Sequence, residues 1–69
     1  MAPASAARRH DPEASRAAIL DAAEATFVEK GFAGASMSEI AERSSVTKSL
    51  IHHHFGSKEA LWSEVKRRS

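Results

Sequence analysis

The sequence contains no cysteine and only three glycines and two prolines among its 69 residues. Without cysteine there can be no disulfide framework, and the composition fits a reducing compartment. So few glycines leave no glycine-rich loop of the kind that holds phosphate groups in nucleotide-binding enzymes. No aspartate or glutamate flanks the three consecutive histidines at residues 52–54, where acid–base catalysis would need one. We therefore expect a protein that is not an enzyme and has no cofactor.

Long hydrophobic runs are absent as well. No stretch approaches the roughly 20 apolar residues of a membrane-spanning helix. The pair Arg8 and Arg9 is followed by His10 and Asp11 rather than by an apolar segment, which argues against an export signal. We expect a cytoplasmic protein that does not contact a membrane.

The size and charge of the chain allow one small helical domain with a positive side. A 69-residue chain with 42% hydrophobic residues can build a single thin core. The net charge of +1 does not by itself indicate a nucleic-acid-binding protein, but the charges are unevenly distributed. Acidic residues predominate from residue 11 to residue 42, whereas residues 43–58 contain Arg43, Lys48, Lys58 and three histidines but no acid.

The N-terminal segment and the first helix can be distinguished by composition. Residues 1–11 are small, basic and proline-containing, and we predict a disordered basic arm there. A helix should begin after Asp11, whose carboxylate can cap it, with Pro12 at the first helical position. Gly31 should end this helix, with Phe32 folding back onto the last turn. The predicted buried positions are three and four residues apart: Ile19, Leu20, Ala23 and Phe27.

A second, short helix is predicted from Met37 to about Ser44. Ser36 and Glu39 have the spacing of a capping box, in which each side chain satisfies the free backbone N–H of the other residue. The inward positions of this helix should be Met37, Ile40 and Ala41.

Two further helices follow. Thr47 should cap a third helix that ends at Phe55, with Ile51 and Phe55 on its buried side. Ser57 opens a fourth helix that is still in progress where the sequence ends. The apolar positions of this fourth helix are Leu61, Trp62 and Val65.

The second and third helices have the spacing of a helix-turn-helix. About three residues join them, and the small Ala41 precedes the aliphatic Ile51 by ten positions, which lets the two helices cross closely at a steep angle. A generic helical bundle can also contain two short helices, so the spacing alone leaves that alternative open. The predicted fold is all-α: a small bundle of three helices containing a helix-turn-helix, plus the start of a fourth helix.

At larger scale the sequence resembles the N-terminal domain of the tetracycline-repressor (TetR) family of transcriptional regulators. The resemblance begins after His10 and is carried by several motifs in register: Ile19 to Ala23, Phe27, Glu29 to Phe32, Ser36, Ile40-Ala41, Val46 to Lys48, and His54 to Leu61. It implies a nucleoid-associated, homodimeric repressor that binds a palindromic operator in double-stranded DNA. Residues 12–69 would be the DNA-binding domain, and a C-terminal domain that binds a small-molecule inducer and forms the dimer would be absent.

The recognition helix, residues 47–55, should enter the major groove and read bases from its N-terminal turn. Lys48 can donate to guanine O6 or N7, Ser49 can hydrogen-bond several bases, and Leu50 can contact a thymine methyl group. We predict these three residues as the contacts to base edges.

Contacts to phosphate are predicted at helix starts and along the third helix. Hydroxyls and free N–H groups at helix N-termini favour phosphate, which points to Ser36 and Thr47. The resemblance implies the same role for Lys58, because its position in the family pattern is a phosphate contact. It also suggests phosphate contacts for His52 and His54, since many family members have a tyrosine at the position of His52.

Several alternatives stay open at this point. The three histidines could form a solvated face without a role, but as metal ligands they are disfavoured because consecutive helical side chains point about 100° apart. Arg8 and Arg9 could reach an adjacent minor groove or could only solubilise the arm. Ser45 replaces a common turn glycine, so it must adopt a left-handed conformation or reshape the turn. Arg43 could pair with a nearby acid rather than with DNA, and the whole domain could be a helical module for protein partners.

Overall fold

A computed structural model describes residues 11–68 of the chain, so the predicted arm, apart from Asp11, lies outside the described residues. The described part contains four α-helices and no strand, which confirms the predicted all-α fold. None of these helices is both long and apolar enough to cross a membrane. The helices are α1 (Pro12–Gly34), α2 (Met37–Ser44), α3 (Lys48–Phe55) and α4 (Lys58–Arg68).

Helix α1 begins where the sequence predicted, but at Gly31, where it was predicted to end, it bends and continues to Gly34. The Asp11 carboxylate accepts hydrogen bonds from the backbone N–H groups of Glu13 and Ala14 at 3.1 and 3.3 Å. At Gly31 the backbone leaves the helical region, with φ of 75° and ψ of 172°. The Phe32 ring then stacks on Phe27 with 5.9 Å between ring centroids, as expected for an aromatic residue that folds back. One more helical turn follows as far as residue 34, which was not predicted.

At the start of α2, one of the two hydrogen bonds of the predicted capping box is formed. The Ser36 hydroxyl accepts a hydrogen bond from the backbone N–H of Glu39 at 3.0 Å, as predicted. The reciprocal bond was predicted wrongly, because the Glu39 carboxylate pairs with Lys30 at 3.0 Å and lies 3.7 Å from Arg43. Electrostatic attraction to two nearby cations stabilises this carboxylate more than one hydrogen bond from a backbone N–H would. The first turn of α2 is thereby tied to α1.

The turn between α2 and α3 contains a strained residue. Ser45 adopts the left-handed conformation, with φ of 61° and ψ of 34°. This conformation lets the N–H groups of Ser45 and Val46 reach the carbonyls of Glu42 and Ala41 at 3.3 and 3.1 Å, which closes the end of α2. Of the two alternatives for Ser45, the structure has the strained backbone.

Helices α3 and α4 each start at a capping hydroxyl. The Thr47 hydroxyl accepts from the backbone N–H of Leu50, and the Ser57 hydroxyl accepts from that of Ala60, both at 3.1 Å. Between them Gly56, with φ of 90°, ends α3. Only Gly56 and Ser57 separate α3 from α4, and the two helices follow one another as predicted.

One core joins the four helices. Its buried apolar residues are Ile19, Leu20, Ala23, Phe27, Ala35, Ile40, Ala41, Ile51, Leu61 and Val65. Three residues that we predicted to face inward, Met37, Phe55 and Trp62, are half-buried at its edge. The core therefore includes every helix, and α3 contributes a single fully buried side chain, that of Ile51.

The strained turn predicts that Ser45→Gly stabilises the domain. Glycine adopts a positive φ without a clash with Cβ, so we expect the free energy of unfolding to rise by about 0.5 to 1 kcal/mol. Urea or thermal unfolding measures the change. The matched control is Ser63→Gly, at an exposed position inside α4, which should lower the free energy of unfolding by about 0.5 kcal/mol. Destabilisation by both variants would show that Ser45 carries no backbone strain.

Candidate nucleic-acid interface

The burial of Ile51 sets which side of α3 faces solvent. Ile51 has no exposed surface, and residues two positions away on a helix point to the opposite side. Ser49 and His53, two positions before and after Ile51, are accordingly exposed; Lys48 and His52 are exposed as well, while Leu50 is half-buried. Lys48 owes its exposure to its place in the first turn of α3, since three positions from Ile51 correspond to only about 60° around the helix.

One exposed histidine on this face was missed by the sequence reasoning. His53 lies opposite Ile51 and is exposed, whereas His54 is half-buried and its Nε2 atom is shielded from solvent. The helical spacing from Ile51 was the signal that could have identified His53. The phosphate contact of His54 stays a prediction.

A second residue missed by the sequence reasoning is Ser38. Its hydroxyl lies 3.3 Å from the Lys48 ammonium, which donates a hydrogen bond to it across the helix-turn-helix. The two residues are ten positions apart in sequence and lie on different helices, so no local pattern connects them. The contact joins the first turn of α2 to the first turn of α3 and makes one polar surface of the two helix starts.

The capping hydroxyls of the two helix starts keep a donor for a further partner. Ser36 and Thr47 are exposed, and each hydroxyl oxygen accepts one backbone N–H. A hydroxyl that accepts in this way can still donate its own proton, and a phosphate oxygen is a suitable acceptor. Capping and the predicted phosphate contact are therefore compatible at both residues.

His52 has a ring orientation with a chemical consequence. Its Nδ1 lies 3.1 Å from the carbonyl oxygen of Gly56. A carbonyl oxygen can only accept, so Nδ1 carries the proton and Nε2 of the neutral ring has none. In this orientation His52 can donate through Nε2 to a phosphate oxygen only when the ring is protonated.

The three histidines are not part of a metal-ligand cluster among the described residues. Within residues 11–68, no three histidine, cysteine, aspartate or glutamate side chains lie close enough together to hold a metal ion.

Lys58, predicted as a phosphate contact, is directed towards protein carbonyls. Its ammonium donates to the carbonyl oxygens of Phe32 and Ala35 at 2.7 and 2.9 Å, and it lies 4.4 Å from the centroid of the Phe32 ring. An ammonium has three N–H donors, so one is left for another acceptor. The phosphate contact of Lys58 stays a prediction that depends on this third donor.

Arg43 pairs with an acid on α1 instead of facing outward with Lys48. Its guanidinium binds both carboxylate oxygens of Glu29 at 2.9 and 3.1 Å, and it also donates to the hydroxyl of the buried Thr26 at 3.1 Å. The hydrogen bond and the charge of Arg43 lower the pKa of Glu29 below its ordinary value, and the same hydrogen bond raises the pKa of Arg43. Of the alternatives for Arg43, the structure has the ion pair, which fastens α2 to α1.

The fold and this surface together define a class of protein. Two short helices cross through a tight turn, and the second one presents an amine, a hydroxyl and imidazoles to solvent, as in a helix-turn-helix DNA-binding domain. The family model described as "Bacterial regulatory proteins, tetR family" matches residues 19–65. The chain belongs to this family of DNA-binding transcriptional regulators, which are not enzymes.

Individual relatives agree with the family. The chain is 42% identical over 55 residues to the HTH-type transcriptional repressor SCO4008 of Streptomyces coelicolor, covering 80% of the chain and 29% of the relative. It is 42% identical over 53 residues to the HTH-type transcriptional activator FasR of Mycolicibacterium smegmatis, covering 77% of the chain and 24% of the relative. It is 34% identical over 55 residues to the HTH-type transcriptional regulator BetI of Paraburkholderia phytofirmans, covering 80% of the chain and 28% of the relative.

The chain therefore spans less than a third of the length of these curated relatives. No solved structure matches it with significance.

The pairing of Glu29 with Arg43 predicts a pH-dependent contribution to stability. Because the pKa of Glu29 is lowered in the folded state, the contribution is complete above the ordinary value of 4.5 and is lost as the pH falls through the folded value. We expect Glu29→Gln to be less stable than wild type at about pH 7, and the difference to shrink as the pH falls through the folded pKa of Glu29, by urea unfolding.

The matched control for this prediction is Glu42→Gln, a charge change at an exposed position of α2. We expect its stability difference from wild type to be small and to vary little with pH. A difference for Glu29→Gln that persists unchanged in acid would contradict the assignment.

Proposed function

We propose that residues 12–69 form a sequence-specific DNA-binding module whose recognition helix enters the major groove of double-stranded DNA. Lys48, Ser49 and Leu50 contact base edges in this proposal, because they occupy the N-terminal turn that a docked helix presents to the bases. The observation that carries the proposal is the exposure of Lys48 and Ser49 in the first turn of a helix that is packed against the core through Ile51.

Phosphate contacts flank the base contacts on both sides. The proposed contacts are Ser36, Thr47, His52, His54 and Lys58, which all lie on α2–α4 or at the helix starts. Donors at helix N-termini support Ser36 and Thr47, since the helix dipole there favours a phosphate anion. We add Ser38 to the proposed DNA contacts, because its hydroxyl lies beside the Lys48 ammonium and can bind the same phosphate or base.

The complete regulator is proposed from the family. A second domain, corresponding to the larger part of the relatives, would form a homodimer and bind a small-molecule inducer. Two copies of α3 would then read half-sites about one helical turn of DNA apart, or a multiple of it, which makes the operator palindromic. We favour repression, since SCO4008 is named a transcriptional repressor, although FasR is named an activator.

A salt titration separates this function from a module for protein partners. DNA binding releases counterions, so the affinity for duplex DNA should fall steeply as salt rises, with a slope of about −0.9 for each phosphate contact. Fluorescence anisotropy with a duplex library and increasing potassium chloride measures the slope. If no binding to duplex DNA were measured even at low salt, the proposed function would be contradicted.

Loss of the Lys48 amine should change which sequences are bound. We expect Lys48→Ala to relax the preference at one base position, at a cost of roughly 1 to 3 kcal/mol for the preferred base. Selection of binding sites from random duplexes, with wild type and variant held as dimers by the same fused dimerisation domain, measures the preference.

Lys66→Ala, in α4, is the matched control for loss of one lysine and should leave the selected sequence unchanged. If Lys48→Ala weakened all duplexes equally and kept the selected sequence, Lys48 would be a phosphate contact and not a base contact.

A further inference from the structure

The contact between Ser38 and Lys48 brings two hydrogen-bond donors together at the start of the recognition helix. The Lys48 ammonium donates one N–H to the Ser38 hydroxyl at 3.3 Å and keeps two others. The hydroxyl accepts this bond and still has its own proton to donate. Both side chains are exposed, so the two donors are accessible to the same partner from solvent.

The charge of Lys48 remains available for DNA. None of the ion pairs found among residues 11–68 involves this lysine. Glu39, the residue next to Ser38, has its carboxylate 3.0 Å from the Lys30 ammonium and 3.7 Å from the Arg43 guanidinium. A hydroxyl holds an ammonium in place without neutralising it. The contact with Ser38 therefore orients Lys48 and leaves its charge intact.

The same contact gives the Ser38 hydroxyl a defined role. A serine hydroxyl by itself can donate or accept, so it does not distinguish one base from another. Beside an ammonium that already donates to it, the positive charge disfavours the approach of a second donor. The hydroxyl is then left to act as a donor, next to the donors of Lys48.

Among the four bases, guanine fits two neighbouring donors in the major groove. It presents two acceptors there, O6 and N7. Adenine combines an acceptor with an amino donor, cytosine presents an amino donor, and thymine presents one acceptor beside a methyl group. Each of these three bases leaves at least one of the two protein donors without an acceptor.

We infer that Ser38 is a specificity-determining residue, which acts with Lys48 as one pair of donors that reads guanine. The inference rests on the DNA binding proposed above, in which Lys48 contacts a base edge. A lysine side chain has several rotatable bonds, and ordering them on binding costs free energy. The Ser38 hydroxyl lowers this cost because it holds the ammonium in place before DNA binds.

A double-mutant cycle of Ser38→Ala and Lys48→Ala tests the pair. The wild-type protein first selects a site from random duplexes, and the base position at which Lys48→Ala relaxes the preference is identified. Fluorescence anisotropy then measures the affinity of the four proteins for this site and for the same duplex with A·T in place of the selected base pair. The ratio of the two affinities is the discrimination, and all four proteins are held as dimers by the same fused dimerisation domain.

We expect the selected base at this position to be guanine. Ser38→Ala should lower the discrimination roughly tenfold, as for one lost base contact, with the salt slope unchanged because a hydroxyl carries no charge. In the Lys48→Ala background the same substitution should have little effect, since the hydroxyl then has no ammonium to hold.

Two further variants are the controls. Ser38→Thr keeps the hydroxyl and should retain the discrimination. Ser63→Ala removes a hydroxyl at an exposed position of α4 and should change neither affinity nor discrimination. Because Ser38 is exposed and alanine favours a helix, we expect Ser38→Ala to fold, and urea unfolding measures its stability.

Four results would overturn the inference. They are a selected base other than guanine, unchanged discrimination in Ser38→Ala, an equal loss of affinity for both duplexes, and an effect of Ser38→Ala that is the same with and without Lys48. The third would make Ser38 a phosphate contact, and the fourth would make it a contact independent of Lys48. In all four the proposed function stands, whereas it fails if the wild-type protein does not bind duplex DNA.

Discussion

The burial of Ile51 is the constraint on which the DNA-facing surface depends. It is the one fully buried side chain that α3 contributes to the core, and it sets the rotation of this eight-residue helix. A short helix is marginal by itself and takes its stability from packing. The outward direction of Ser49 thus follows from an apolar contact on the other side of α3, and the small Ala41 on α2 belongs to the same core.

The ion pairs hold the supporting helices together, and none of those found among residues 11–68 involves Lys48 of the recognition helix. Arg43 pairs with Glu29, and Arg68 at the end of α4 pairs with Asp21 and Glu24 of α1 at 2.9 Å each. Lys48 contacts the Ser38 hydroxyl instead. Asp21, Glu24 and Glu29 of α1 are thereby paired with arginines of α2 and α4. Because these acids lie on α1, a net charge of only +1 is compatible with a positive recognition helix.

The sequence predicted the helices well because their ends carry specific chemistry. Asp11, Gly31, Ser36, Thr47 and Gly56 act on the backbone next to them, so their effect is local and can be read from short patterns. The pairings between distant residues could not be predicted in this way. The capping-box pattern assigned the Glu39 carboxylate to the nearby Ser36 N–H, but in the fold the carboxylate pairs with Lys30 of another helix.

The residues of the candidate site differ in the same way: some could be predicted from local patterns, and others depend on contacts between helices. Ser49 could be placed on the outward face from helical periodicity relative to Ile51, and the same periodicity would have identified His53. Lys48 was placed by its position in the first turn of the helix. The contact of Lys48 with Ser38 and the direction of Lys58 depend on how the helices cross. Such contacts depend on three-dimensional packing, which the spacing of residues along one chain does not contain.

An NMR titration of the chain with duplex DNA that contains a selected binding site tests the DNA-facing surface most directly. We expect the largest amide shift changes at the starts of α2 and α3, at Ser36, Ser38 and residues 47–50, and further changes at His52. Changes that concentrate on the outer face of α1, around Asp21 and Glu24, with α3 unaffected, would contradict this expectation.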